Sequence, residues 1–430
     1  MKHRTLILML MSVPCSAWGQ ATPTASIQPS PAGLSLPTLN GTFQYGLSLS
    51  EVMSKGYSGG GVSAQTSLSG DVAYSSKSVV RPRNLIYAGG LQLGSRTTYF
   101  QSLAASQSFV SRGWVFSVSD VVSYLPQSPT VGLSGIPGTG DLGLNPVQNG
   151  LEPSQGILSI GNSRLSNAVS GNVERRLDAF TSISGGASYG TLHFFGNGGL
   201  NSDQISTDVS LNRRLNGRSS ASVSGTYGVY RYTGLGAGAS FDTRGVSGGY
   251  QRQISRSLNA SVSGGPQWIG SSAVLGIPSR LTFSAGAGLS YSVRVYNAAI
   301  SYTRGVTGGS GIQPGGISDS IVGTVQRPFG AAWSASGNVG YSRTQGLTNG
   351  PTPLALALQG LSSSGSYNSV FVGGQVSRRI SRSFSAFGSY TVLDQSYTQT
   401  RVSPVALNGI VQSFALGISY FPHSLHLGQF

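Results

Sequence analysis

From Gly41 onward, apolar and polar positions alternate along the chain with a period of two. Trp333, Ala335, Gly337, Val339 and Tyr341 fall on one face of such a segment, and Ser334, Ser336, Asn338 and Gly340 on the other. Ala221, Val223, Gly225 and Tyr227 alternate with Ser222, Ser224 and Thr226, and Leu258, Ala260 and Val262 with Asn259, Ser261 and Ser263. Phe384, Ala386, Gly388 and Tyr390 repeat the pattern, with Phe387 intruding. Successive side chains of an extended chain point to opposite faces, so this period predicts strands. They are expected near 41–50, 61–74, 84–94, 97–109, 113–125, 168–177, 179–191, 203–213, 219–231, 243–254, 256–268, 280–292, 296–305, 318–328, 331–343, 366–379, 383–394 and 409–421. That is about 18 strands, or 16 if the first pair stays out of the wall.

The strands come in a repeated unit. Val173-x-Arg175-x-Leu177, Leu211-x-Arg213-x-Leu215, Tyr250-x-Arg252-x-Ile254, Val325-x-Arg327-x-Phe329 and Val376-x-Arg378-x-Ile380 share one register before a short turn. Two of these turns carry the same four residues, Ile254 to Ser257 and Ile380 to Ser383. The unit reads strand, short turn, strand, longer glycine-rich loop. Arg175, Arg213 and Arg252 follow one another at 38 and 39 residues, a period that solenoids and propellers also show. Propeller strands would not keep an almost charge-free apolar face opposite a face of serine and glycine.

Composition sharpens the environment. Charged residues are 9% of the chain against about 25% in ordinary soluble domains. No apolar run long enough for a helical span follows the N-terminus. The first residues read as a secretory signal: Lys2, His3 and Arg4, then an apolar run from Thr5 to Val13, then small residues for cleavage near 17–21. Residues 1–21 are therefore expected to be removed after export through the Sec pathway, and 22–40, rich in Pro, Ser and Thr, to form a periplasmic linker. Cys15 is the only cysteine and lies in the removed segment, with Pro14 where a lipid anchor would need a small residue, so no disulfide or thiolate site is expected. The net charge of +15 falls to about +13 without Lys2 and Arg4. Only Lys2, Lys55 and Lys77 are lysine, and arginine without lysine suits bidentate phosphate or carboxylate contacts. The arginines are spread along the chain rather than clustered, which argues against nucleic acid as a partner.

Together these features resemble a Gram-negative outer-membrane β-barrel of the porin type, over residues 41–430. The expected fold class is all-β, a transmembrane antiparallel barrel of about 18 strands in the cell outer membrane. A closed sheet satisfies every backbone donor and acceptor in hydrocarbon. From Trp333 to Tyr341 a tilted strand rises roughly 20 Å, near the height of the apolar band, with an aromatic at each interface. Trp114 with Tyr124, and Phe384 with Tyr390, bracket the band likewise. Asp120 breaks the apolar face between Trp114 and Tyr124, and a bulge or register shift is expected there.

The resemblance carries further expectations. A terminal aromatic helps the barrel assembly machinery recognise such chains, and Phe430 fits, although Pro422 interrupts alternation before it. Outer-membrane lipids and lipopolysaccharide are the surrounding partners, and a homotrimer is left open. Arg175, Arg213, Arg252, Arg327 and Arg378 have apolar parity beside the short turns, as for side chains that snorkel to lipid phosphates; rim arginines in water are the alternative. Arg231, Arg304 and Arg343 share that parity at the opposite strand ends, where lipopolysaccharide phosphates lie in such membranes. The longest loop is expected at 126–167, after the fifth strand, where classical porins fold a loop into the lumen. Asp141 and Glu152 are then its acidic side, and Arg176, Arg214, Arg294 and Arg379 the basic wall; a surface loop over the mouth is the alternative.

Catalytic chemistry finds little support. After the signal, histidine remains at 193, 423 and 426 only, with no nucleophile or acid at useful spacing. Metal-ligand spacing is missing, and the runs at 59–61 and 305–311 lack the lysine of a phosphate loop, so no cofactor is expected. The reading is a non-enzymatic channel for passive diffusion of small hydrophilic solutes with modest anion preference. A dedicated export barrel for an acidic polysaccharide and a structural or adhesive barrel are the alternatives.

Overall fold

A computed structural model describes residues 41–56, 61–94, 97–125, 163–195, 199–235, 238–293, 295–308, 313–348, 365–397, 408–422 and 425–427. The strands are β1 (Gly41–Lys55), β2 (Val62–Ser76), β3 (Arg83–Leu93), β4 (Thr98–Ser111), β5 (Trp114–Leu125), β6 (Ser163–Arg176), β7 (Thr181–Phe195), β8 (Ser202–Asn216) and β9 (Ser219–Tyr232). They continue as β10 (Ser240–Gln253), β11 (Leu258–Ile269), β12 (Arg280–Val293), β13 (Tyr296–Thr307), β14 (Gly316–Phe329), β15 (Trp333–Gly346), β16 (Ser366–Arg379), β17 (Phe384–Tyr397), β18 (Gly409–Tyr420) and the short β19 (Leu425–Leu427). Each of β1 to β17 pairs antiparallel with its successor in sequence, and β18 returns to β1 with Leu47 opposite Tyr420. The result is a closed barrel of 18 strands, and closure removes the exposed edges that an open sheet would present.

Every expected strand is present, mostly longer than its period-two core. The first pair lies in the wall, since β1 bonds both β2 and β18, and this settles the strand number at 18 rather than 16. Two expectations are corrected. The connection after the fifth strand ends at residue 162, not 167, because β6 already pairs with β5 from Arg164 onward. No bulge forms at Asp120, which sits in unbroken register between Ala105 of β4 and Val169 of β6. Its carboxylate instead points outward and accepts a hydrogen bond from Asn167 Nδ2 at 2.7 Å, so a polar pair replaces the break in alternation. Pro422 does interrupt the last strand, but pairing resumes beyond it, with Leu427 opposite Gly41.

Connections from even to odd strands are two to six residues long and gather with the start of β1 and the end of β18 at one end of the barrel; those from odd to even strands are four residues or more, mostly longer, and gather at the other. We call these the turn end and the loop end. The turn chemistry explains the repeated residues. In the Ile254–Ser257 turn the N–H groups of Ile254 and Ser255 donate to the Leu258 carbonyl, and Ser255 Oγ accepts from the N–H of Ser257 and Leu258. Ile380, Ser381 and Phe384 repeat this bond for bond. Between β6 and β7, Asp178 takes the serine's place: its Oδ1 accepts from the N–H of Phe180 and Thr181 at 2.6 and 2.7 Å. A short oxygen-bearing side chain that bonds its own backbone two and three residues on is what such a turn selects.

The barrel turns its apolar side chains outward, so its lipid-facing surface takes the place of a core. Inward, wide side chains lie over glycines of the next strand. Phe100 covers Gly90, directly opposite it, and Phe387, the residue that intrudes on the Phe384–Tyr390 alternation, covers Gly417. A Cβ on Gly417 would sit 2.4 Å from the Phe387 ring and 2.7 Å from the Leu49 carbonyl oxygen. The missing side chain is thus what lets the ring lie against the wall.

Candidate functional site

The lumen wall is built from hydroxyls that satisfy one another across strands. Ser102 and Ser123, Ser119 and Ser170, Ser184 and Ser210, Ser188 and Ser206, Ser224 and Ser247, and Ser334 and Ser377 stand directly opposite and bond at 2.6 to 3.0 Å. Ser48 and Ser69, and Thr303 and Ser320, pair likewise. The serine-rich parity of the sequence therefore has a physical role: it gives a wettable surface of few charges, with many hydroxyls partnered across the strand pair.

At the turn end, consecutive arginines split between the two faces because side chains alternate. Arg175, Arg213 and Arg378 point outward, and Arg176, Arg214 and Arg379 point into the mouth. Arg252 and Arg327 also point outward. The outward set meets aromatic rings: Arg175 lies 5.0 Å from the ring centre of Trp114 directly opposite, Arg378 5.2 Å from Trp333, and Arg327 4.9 Å from Phe329. Of the inward set, Arg214 sits 5.3 Å from the Phe180 ring and donates to the Ala179 carbonyl. Arg294, Asp141, Glu152 and Phe430 lie outside the described residues.

The loop end differs. Leu200, Tyr230, Tyr232, Leu235, Phe241, Ile269, Leu275, Ile277, Val306 and Leu347 form one buried apolar cluster. They come from the loop ends of β9, β10, β11 and β13 and from four loop-end connections, β7–β8, β9–β10, β11–β12 and β15–β16. Tyr230 and Phe241 stack at 4.8 Å between centroids. The Tyr230 hydroxyl donates to the Val306 carbonyl and that of Tyr232 to the Gly308 carbonyl, tying the β13–β14 connection to wall residues four strands away. Alternation alone shows that Tyr230, Tyr232 and Phe241 face inward, but nothing in a period of two shows that loops converge on them. Arg164, at the loop end of β6, is inward and buried; it fell inside the expected loop and was missed for that reason. On the outer face here, arginines meet carboxylates. Arg304 Nη1 donates to both Asp319 oxygens at 2.8 and 2.7 Å, Tyr302 donates to the same carboxylate, and Arg343 stands opposite it. Arg231 stands opposite Asp203. His193 is on the outer face, edge-on to the Phe195 ring. Among the described residues no cluster of three His, Cys, Asp or Glu side chains is placed to hold a metal ion, and no helix is long and apolar enough to cross a membrane.

A closed antiparallel wall with an apolar exterior, aromatic and arginine girdles and a hydroxyl lumen has the architecture of a porin-type β-barrel. No protein-family model and no curated protein matches the chain. Among solved structures it is similar in barrel architecture to OccK2 (OpdF) of Pseudomonas aeruginosa, at 11% identity over 90% of this chain and 98% of that one, with a TM-score of 0.45. The outer membrane protein opdK of Pseudomonas aeruginosa gives 8% identity, 89% and 99% coverage and a TM-score of 0.41. OccAB4 of Acinetobacter baumannii gives 9%, 90% and 99%, and 0.43.

Proposed function

We propose that the chain is a diffusion channel for small hydrophilic solutes in a Gram-negative outer membrane, with the turn end periplasmic and the loop end external. The observation that carries this is the closed 18-strand wall lined by mutually bonded hydroxyls. A barrel of 16 to 18 strands is too wide to be filled by its own side chains, so such a lining encloses water. The inward arginines 176, 214 and 379 at the periplasmic mouth favour anions modestly, offset by inward Asp71, Glu174 and Asp208. The outward arginines 175, 213, 252, 327 and 378 reach lipid phosphates, and 175, 327 and 378 also lie against interfacial rings, which suits the planar guanidinium better than an ammonium. Lipopolysaccharide meets the external girdle, and a homotrimer is the assembly to test first.

Proteoliposomes carrying the purified chain should swell in neutral sugars at a rate that falls with sugar size. Reversal potentials across a salt gradient should then show a modest anion excess. Swelling no faster than in empty liposomes would overturn the channel reading, and strong cation selectivity would overturn the anion preference.

A further inference from the structure

Resting on the channel reading, we propose that the lumen wall between β10 and β12 holds a binding subsite for a small oxyanion, a carboxylate or a phosphate, gripped by Arg280 with Gln267 and Thr243. Register brings the three side chains together. Thr243, Ile269 and Arg280 form one rung across β10, β11 and β12, and Gln267 lies one inward position below Ile269. All face the lumen. Thr243 and Gln267 are fully buried, yet Thr243 Oγ1 and both amide atoms of Gln267 have no hydrogen-bond partner. Arg280 is half-buried, and its Nε and Nη2 are buried and unpartnered as well.

Ser342, Ser369 and Gln395 form another rung with unpartnered polar atoms, but only at Arg280, among the described residues, do such atoms lie beside unpartnered guanidinium nitrogens. Buried orphaned donors are costly, and native proteins keep them where a ligand or ion completes the set. Nε and Nη2 lie on one edge of the guanidinium, the fork that accepts two oxygens carried by one carbon or phosphorus. The Gln267 amide and the Thr243 hydroxyl add donors beside it. Thr243 stands opposite Gly228 and Gln267 opposite Gly245, so neither faces a side chain directly across its strand pair, although the Thr226 hydroxyl lies beside Gly245. Charge is left for the guest. The inward residues around Arg280 on these strands are Thr243, Gln267, Ile269 and Thr282; Asp242 points outward, where it pairs with Arg244. Ile269, Phe241 and Tyr230 bound the site on the loop side and belong to the apolar cluster, so they would pack against an apolar remainder of the solute.

The test uses the purified full chain in planar bilayers bathed in potassium chloride, with inorganic phosphate or acetate added on the loop side. Wild type should show a saturable fall in chloride current with at least one of them. A response to phosphate alone marks a phosphate subsite, to acetate alone a carboxylate subsite. Arg280→Gln should raise the half-blocking concentration about tenfold or more, and Gln267→Leu about threefold. Gln267→Leu also removes two orphaned atoms from the fold, so a purely structural glutamine would leave the block unchanged. No block by either anion, or an unchanged block in both variants, overturns the subsite. A barrel that inserts but passes no chloride current refutes the channel reading instead. Calorimetric titration of the detergent-solubilised barrel with the same two anions then decides the subsite: saturable heat in wild type and none in Arg280→Gln supports it, and no heat in wild type overturns it.

Discussion

Asp120 and Asn167 offer a sharp test of which surface faces lipid. Both side chains point outward, and Asp120 lies six residues above Trp114, the girdle residue of the same strand. At about 3.3 Å per residue and a tilt near 40°, that is about 15 Å above the girdle, inside the hydrocarbon. A carboxylate costs less there than the roughly 2–4 kcal/mol of a midplane arginine, and the 2.7 Å bond from Asn167 offsets part of that cost. Replacing both with valine removes the polar pair without leaving an orphan. Asp120→Val/Asn167→Val should therefore stabilise the barrel by about 1–2 kcal/mol. Asp120→Val alone should gain less, because the Asn167 amide is left unpartnered. The assay is urea unfolding from phospholipid vesicles followed by tryptophan fluorescence, with heat-modifiable gel migration as the check on folding. A double variant less stable than wild type by about 1 kcal/mol or more would refute lipid exposure. It would mean that another protein surface covers β5 and β6.

Other expectations follow from contacts at single residues. Gly417→Ala should cost about 1–3 kcal/mol in the same unfolding assay, because its Cβ meets the Phe387 ring and the Leu49 carbonyl, whereas Gly225→Ala, with open space around it, should be neutral or slightly stabilising. Arg175→Gln with Arg378→Gln should lower stability by about 0.5–1 kcal/mol per lost ring contact, and unchanged unfolding would reduce both to solvated rim charges. In the β6–β7 turn, the N–H of Phe180, then the hydroxyl and N–H of Thr181, hold the Asp178 carboxyl below the usual carboxylate range. A lowered pKa makes its contribution present above the unfolded value and lost as pH falls through the folded one. Hydrogen-exchange protection of Phe180 and Thr181, corrected for intrinsic rates, should therefore drop only in that acidic window, and Asp178→Ala should abolish the drop.

The wall was legible because a membrane asks the same thing of every strand. Trp333 to Tyr341 alternates in the sequence as it does in β15, and the arginine before each turn marks the strand end in β6, β8, β10, β14 and β16. The turns were legible as punctuation, but not the bonds that make Ser255, Ser381 and Asp178 equivalent. Period two fails wherever the environment is not set by the wall. Asp120 looked like a break in register because a charge on the apolar face has no local explanation; its partner, Asn167, comes from a strand start that the sequence reading had assigned to a loop. The subsite candidates Thr243, Gln267 and Arg280 are unremarkable inward polar residues one by one. Only the pairing of β10, β11 and β12 assembles them. Arg164 was hidden by the same boundary that hid Asn167.

The central claim is that the closed wall encloses water. Single-channel recording of the folded barrel in planar bilayers tests it most directly. The account predicts discrete, ohmic current steps whose size scales with the conductivity of the bathing salt. Protein that is shown to be folded and inserted, yet gives no steps at any salt concentration, would contradict it.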